Sequence, residues 1–334
     1  MARAEIYKDI SNNTMYQRIC RKVYTMEKQD YILTDKEAQA SARELYVFLS
    51  RLGGKGILSG QQEFPGNRNK WEELTYIERV SGQLPAILGL DYIGNDFKGV
   101  NERATLWHEK GGIVSICWHW GIPPHGLGYR SSQESVDMEE LLTPGTELYQ
   151  GLLDNLDAAA EALKELCRLE IPVLWRPLHE FDGAWFWWGK GGAEAFKRLW
   201  RLMYDRYTNF HKLHNLIWVL GYSGEMHDGW YPGDDVVDCI GGDAYSEGVH
   251  EELYNWVKGQ TDKQMPITHH ENGPLPEPGL LAAKGLKWCW FLTWQSIHIH
   301  EQNSKDYVNY VFNHPYVVTL ERLADVKRQI LEEE

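Results

Sequence analysis

Gly151–Glu180 reads GLLDNLDAAAEALKELCRLEIPVLWRPLHE, and its two halves follow different rules. In the first, Leu152, Leu156, Ala159, Leu163 and Leu166 recur at steps of three and four, which places them on one face of a helix. The second, Pro172–Glu180, is a short apolar run that closes on His179-Glu180. Near-continuous apolar character suits a strand buried on both faces, so helix followed by strand reads as part of a βαβ unit.

Seven further runs of the same kind flank this one: Ile57–Glu63, Pro85–Tyr92, Gly112–Trp120, Asn215–Gly221, Val237–Tyr245, Pro266–Glu271 and Trp288–Trp294. A second amphipathic stretch, Gly192–His211, carries Phe196, Leu199, Trp200, Met203, Tyr207 and Phe210 on one face. Eight such strands with helices between them match the closure of an α/β fold of the (β/α)8 TIM barrel type. A doubly wound open sheet alternates in the same way, but no glycine-rich phosphate loop follows the first strand. No linker or internal repeat divides the chain, so one catalytic barrel domain over residues 1–334 is expected, with 1–33 an N-terminal extension packed on it.

The formal net charge of −14 repels phosphate backbones, which disfavours nucleic acid and leaves an uncharged or cationic partner. Apolar runs such as Leu213 to Leu220 fall well short of the roughly 20 residues of a bilayer span, so no membrane partner is expected. Cys20, Cys117, Cys167, Cys239 and Cys289 are odd in number and scattered, which argues against a disulfide framework. Cys117, Cys239 and Cys289 fall in apolar runs, as small core residues do. The opening MARAEIYKDISNN lacks the apolar stretch of a signal peptide, while Asn12-Asn13-Thr14 is a sequon that matters only in a secreted protein. A secreted monomer is expected, its signal absent from the sequence as written.

The strand runs end in chemistry: Gln61-Gln62-Glu63, Asp91-Tyr92, Trp118-His119-Trp120, His179-Glu180, Asp243 with Tyr245, His269-His270-Glu271 and Trp294-Gln295. In a parallel barrel these ends converge on the face that carries the active site. Glycoside hydrolysis needs two carboxyl groups, one protonated and one ionised, and Glu180 and Glu271 each close a strand run. Glu63 is a third candidate, but Gln61 and Gln62 beside it suggest a polar rim. Arg176 shares strand parity with Glu180, so it points inward and favours the ionised form of a carboxylate such as Glu271. A buried structural ion pair is an equal alternative for Arg176. Among the 15 tryptophans, Trp185, Trp187, Trp188 and Trp294 suit sugar stacking, with Trp187 undecided; Trp200 and Trp218 suit packing.

Trp175-Arg176-Pro177-Leu178-His179-Glu180, with Gly183 and Trp185-Phe186-Trp187-Trp188-Gly189, resembles the acid/base motif of glycoside hydrolase family 26, mainly endo-β-1,4-mannanases. Trp118-His119-Trp120, Trp230-Tyr231-Pro232-Gly233-Asp234, Asp243-Ala244-Tyr245 and Trp290-Phe291-Leu292-Thr293-Trp294 agree in order. The resemblance implies a retaining double displacement with Glu180 as acid/base and Glu271 as nucleophile, without metal or cofactor. It further implies that Tyr245 bonds the nucleophile while His119, His179, Trp185 and Trp294 line the reacting subsite; Trp188, by its stacking face, and Arg176, by its inward parity, are expected on the substrate side as well. The substrate implied is a β-mannan: mannan, glucomannan or galactomannan. His269-His270 before Glu271 departs from the aliphatic or small residues usual there.

Three alternatives remain. Relatives of the same fold cut β-1,3-xylan or mixed-linkage β-glucan; a silent barrel could bind glycans without cutting them. A metal-dependent hydrolase could draw ligands from His119, His269, His270, His298 and His300. Against this, His269 and His270 point to opposite faces of a regular strand, and His298 and His300 are expected on a loop after the eighth strand. Gly121–Tyr149, with Pro123-Pro124 and several glycines, is expected as a long loop shaping the cleft.

Overall fold

A computed structural model describes residues 31–333. The Asn12 sequon, Cys20 and most of the expected N-terminal extension lie outside the described residues.

Eight parallel strands close on themselves: β1 Ile57–Gln62, β2 Ile87–Asp91, β3 Ile113–Cys117, β4 Val173–Arg176, β5 Leu216–Tyr222, β6 Cys239–Ala244, β7 Ile267–Asn272 and β8 Trp288–Thr293. β1 joins β2 on one side (Gly60 opposite Ile87) and β8 on the other (Leu58 opposite Trp290). A two-residue strand, β9 Val317–Val318, pairs with the start of β1. Helices lie between successive strands except β5 and β6, which a helix-free loop joins, and the fold is a (β/α)8 TIM barrel. No helix among the described residues is long and apolar enough to cross a membrane.

Boundaries moved where a local donor or cap decided them. The helix expected from Gly151 starts at Glu147, because the Thr146 side chain accepts the Tyr149 N–H at 3.0 Å. β4 stops at Arg176 rather than Glu180, since Pro177 offers no N–H to the sheet. The Gly192–Tyr204 helix widens to a π-helical turn over Asp205–Phe210. That turn carries Phe210 off the apolar face, leaving it 66% exposed beneath the Arg206 guanidinium, whereas Tyr207 stays buried. Gly121–Tyr149 is an excursion as expected, but it carries short helices at Gly128–Ser132 and Met138–Leu141. His298 and His300 sit on a short helix, Ile297–His300, rather than a loop.

Trp200 and Trp218 are fully buried, edge to face at 5.6 Å, between the Gly192–Tyr204 helix and β5. Cys117, Cys239 and Cys289 are buried free thiols. Trp218→Ala should destabilise the fold by about 3–5 kcal/mol, against about 1 kcal/mol or less for Phe210→Ala; urea unfolding of both variants checks the contrast.

Candidate active site

At the C-terminal mouth of the barrel, β4 and β7 aim two glutamates at each other. Beyond Arg176 the chain takes left-handed backbone at Leu178 and Glu180, both with φ of 52°. Such a conformation costs roughly 1–3 kcal/mol per non-glycine residue and persists only where surroundings enforce it. Here the Glu180 N–H donates to the Gly221 carbonyl of β5 at 2.8 Å. Gly221 leaves room for the approach: a Cβ there would stand 3.1 Å from both Arg176 Nε and His270 Nε2. Trp185 Nε1 donates to Glu180 Oε2 at 2.9 Å, its ring folded so closely over Gly183 that a Cβ would come within 2.0 Å of it.

Glu271 reaches the mouth through a bulge. Between Thr268 and Glu271, β7 has one residue more than β6 has between Gly241 and Asp243. The extra residue lets His270 and Glu271, adjacent in sequence, both face the barrel interior. His269 instead packs outward against His250 and Trp288, at 5.1 and 5.3 Å between ring centres. Burial holds both histidines neutral, His269 down to about 3 and His270 well below the usual imidazole range.

One guanidinium organises the carboxylates. Arg176 Nη2 donates to Asp243 Oδ2 at 2.7 Å and also to Glu271 Oε2, with all three side chains buried. Burial alone would lower the guanidinium's pKa, but Asp243 and Glu271 outweigh it and keep the charge fixed. Tyr245 OH donates to the other oxygen, Glu271 Oε1, at 2.6 Å; burial and then Glu271 hold the phenol protonated. Carboxyl oxygens of Glu180, Asp243 and Glu271 all lie within 4.8 Å of one another. Burial, followed by the charge of Glu271, pushes Glu180 up to about 7. Burial likewise pushes Asp243 well above the usual carboxylate range, against the pull of Arg176.

His119, Glu180, Trp185, Tyr245, Glu271 and Trp294 therefore meet around one depression of about 290 Å³, joined by Tyr129, Gln133 and Phe186. A wider trough of about 690 Å³ shares Glu180, Trp185 and Tyr245 and runs on between Ser223–Met226 and Tyr245–Leu253. Three expected substrate contacts, Trp188, His179 and Arg176, lie behind the wall instead, as does Trp187. Trp188 is completely buried, its N–H on the His179 carbonyl and its ring stacked on Phe186, so it offers no face to a sugar. Trp187 is buried in the same way, with its N–H on the Trp120 carbonyl. His179 and Arg176 are 1% and 3% exposed and act behind the wall, on His119 and on the carboxylates. Glu63 is not a rim residue; it is buried in an ion pair with Arg103, and burial raises it to about 7.

Among the described residues, the groups close enough to share an ion are Glu180–Asp243–Glu271 and Asp91–Cys117–His119, and neither contains His269, His270, His298 or His300. Arg176 already occupies the inner side of the first group with positive charge. Sequence reasoning missed Tyr129, which arrives on the Gly121–Tyr149 excursion with no periodic signal. It also passed over Asp91 and Asp243 as site residues, although both stood at strand ends.

The family model for glycosyl hydrolase family 26 matches residues 34–322. The chain belongs to that family. Within family 26 it is 36% identical over 314 residues to a mannan endo-1,4-β-mannosidase of Thermothelomyces thermophilus, covering 87% of this chain and 63% of that one. It is 31% identical to mannan endo-1,4-β-mannosidase A of Piromyces sp., over 87% of this chain and 50% of the relative. The chain thus spans less than two thirds of either relative. A Podospora anserina β-(1,4)-mannanase structure superposes with a TM-score of 0.81 at 34% identity, over 89% of this chain and 70% of the other. A β-mannanase from a symbiotic protist of the termite Reticulitermes speratus, complexed with gluco-manno-oligosaccharide, gives 0.79 at 30% identity, over 88% and 98%.

Replacing Arg176 by Met in this family 26 site should destabilise the protein by about 3–5 kcal/mol at neutral pH, because two buried carboxyls lose their counter-charge. Urea unfolding of wild type and variant measures the penalty.

Proposed function

We propose that this protein is a retaining endo-β-1,4-mannanase that hydrolyses mannan, glucomannan or galactomannan by double displacement. The observation that carries the mechanism is the spacing of Glu180 and Glu271, whose carboxyl oxygens lie within 4.8 Å. A covalent route needs carboxyls about 5–5.5 Å apart, whereas an inverting route leaves about 6.5–9.5 Å for a water between them. The mannan preference is supported by the family 26 relatives described above.

Glu180, protonated up to about pH 7, gives its proton to the glycosidic oxygen as the bond to the leaving chain breaks. Glu271, its Oε1 held by Tyr245 and its Oε2 by Arg176, attacks the anomeric carbon and forms a glycosyl ester. Glu180, now ionised, takes a proton from the incoming water, and that water's oxygen displaces Glu271 from the sugar. Trp185 keeps the Glu180 carboxyl aimed at the bond through its N–H. His119, Trp185, Tyr245 and Trp294, with Tyr129, form the wall against which the reacting sugar lies. No cofactor enters these steps. The same reading takes the chain as one catalytic barrel domain that works as a monomer, secreted because a polymeric substrate lies outside the cell.

Product analysis on linear mannan, β-1,3-xylan and mixed-linkage β-glucan tests the substrate, with short manno-oligosaccharides the expected product. Glu180→Gln should lose about 10²–10⁴-fold in turnover while keeping mannohexaose affinity by calorimetry. Glu271→Ala should be inactive on every glycan; substantial residual turnover would remove it from the nucleophile role. Because Glu180 must be protonated in the first step, kcat/KM should fall as pH rises through about 7.

A further inference from the structure

Behind the wall of the depression runs a chain of hydrogen bonds that the double displacement does not require. Asp91, at the end of β2, is buried and accepts three N–H groups: the backbone of Ile93 and His119, each at 2.9 Å, and His119 Nδ1 at 2.5 Å. Three donors favour an ionised carboxylate, and an ionised carboxylate only accepts, so His119 Nδ1 carries a proton. On the other side of the ring, His119 Nε2 faces His179 Nε2 at 3.2 Å. One of these two nitrogens must donate and the other accept.

The surroundings decide which. His119 is faced by Asp91 from β2, by Glu180 and His179 from the turn after β4, by Glu271 from β7 and by Tyr129 from the Gly128–Ser132 helix. Three of these five are carboxyl groups. His179 is fully enclosed, and the fixed charge that reaches it, that of Arg176, is positive. An additional proton is therefore stable on His119 and unstable on His179. Burial opposes charge on His119, but Asp91 outweighs it and raises the imidazole above its usual range, while His179 falls well below.

We infer that Asp91 is a positioning residue that acts through His119, holding its ring as an imidazolium that donates to a neutral His179 and presents a fixed positive charge to Glu180. The inference rests on the proposed glycosidase reading for its kinetic consequence, though not for the charge state itself. A cation beside Glu180 favours its ionised form, the form that must accept a proton from water in the second half of the reaction. It thereby offsets part of the burial that keeps the group an acid, leaving Glu180 able to serve in both steps. Arg176, which also bonds Asp243 and Glu271, acts on Glu180 in the same direction, and His119 adds to it.

The test compares wild type with Asp91→Asn, His119→Gln and the double variant. Imidazole-resolved NMR at pH 7 should find His119 doubly protonated in wild type and neutral in Asp91→Asn; a neutral wild-type ring overturns the inference whatever the enzyme's activity. On linear mannan, Asp91→Asn should move the alkaline limb of kcat/KM upward by about one pH unit, since Glu180 loses a neighbouring cation. His119→Gln should move it by the same amount, and the double variant no further. A lower kcat with an unmoved limb in both single variants would mean that Asp91 only supports the fold. If Asp91→Asn does not fold, the wild-type NMR titration and the His119→Gln limb decide the matter. If wild type cuts no mannan, the substrate reading fails and the NMR result still stands on its own.

Discussion

The Arg176 guanidinium shared by Asp243 and Glu271 is the interaction on which the site depends. Three carboxyl groups with oxygens inside 4.8 Å of one another could not stay ionised together in a buried place without a counter-charge. Arg176 supplies it from the last residue of β4, at the centre of the barrel, and through Nη2 fixes one oxygen of Glu271 while Tyr245 fixes the other. The remaining carboxyl, Glu180, is not bonded by that guanidinium; the Trp185 N–H donates to it, and burial, followed by the charge of Glu271, raises it to about 7. Two chemically identical side chains thus meet different surroundings, one bonded by a guanidinium and a phenol, the other by an indole N–H.

Strain and irregularity in the backbone serve the same end. Regular continuation of β4 would carry the chain straight out of the barrel, but Pro177 ends the strand and two left-handed residues turn Glu180 across the mouth. Regular continuation of β7 would put His270 and Glu271 on opposite faces; the bulge puts both inside. The unusual His269-His270 pair belongs to that bulge. His269 packs outside against Trp288 and His270 sits inside near Arg176, and both are held neutral by burial.

The cleft wall and the layer behind it divide the aromatic motif after Glu180. Trp185 faces the substrate side, whereas Trp187 and Trp188 are buried, with their N–H groups spent on the carbonyls of Trp120 and His179. Trp188 thus holds the turn that carries Glu180. A tryptophan in a sugar-cutting motif is as able to brace a catalytic turn as to stack on a ring, since burying its large face is favourable in either setting provided the indole N–H finds an acceptor.

Much of this was legible in the chain. Eight apolar runs made the barrel visible because strands buried on both faces lose their polar alternation, and residues at their ends marked the working face. Glu180, Glu271, Tyr245, His119 and Trp294 stood out as polar and aromatic residues where apolar runs stopped, and Trp185 through the resemblance of its motif to family 26. Spacing could not show that Pro177 would end β4 four residues before Glu180, that β7 would bulge, or that Phe210 would be swung into solvent by a widened helical turn. Nor could it separate Trp185 from Trp188, or show Asp91 beneath His119 and Asp243 beside Arg176. Sequence periodicity records which side of an element is buried; which buried groups share a proton or a counter-charge depends on distances across strands far apart in the chain, and those exist only once the barrel closes.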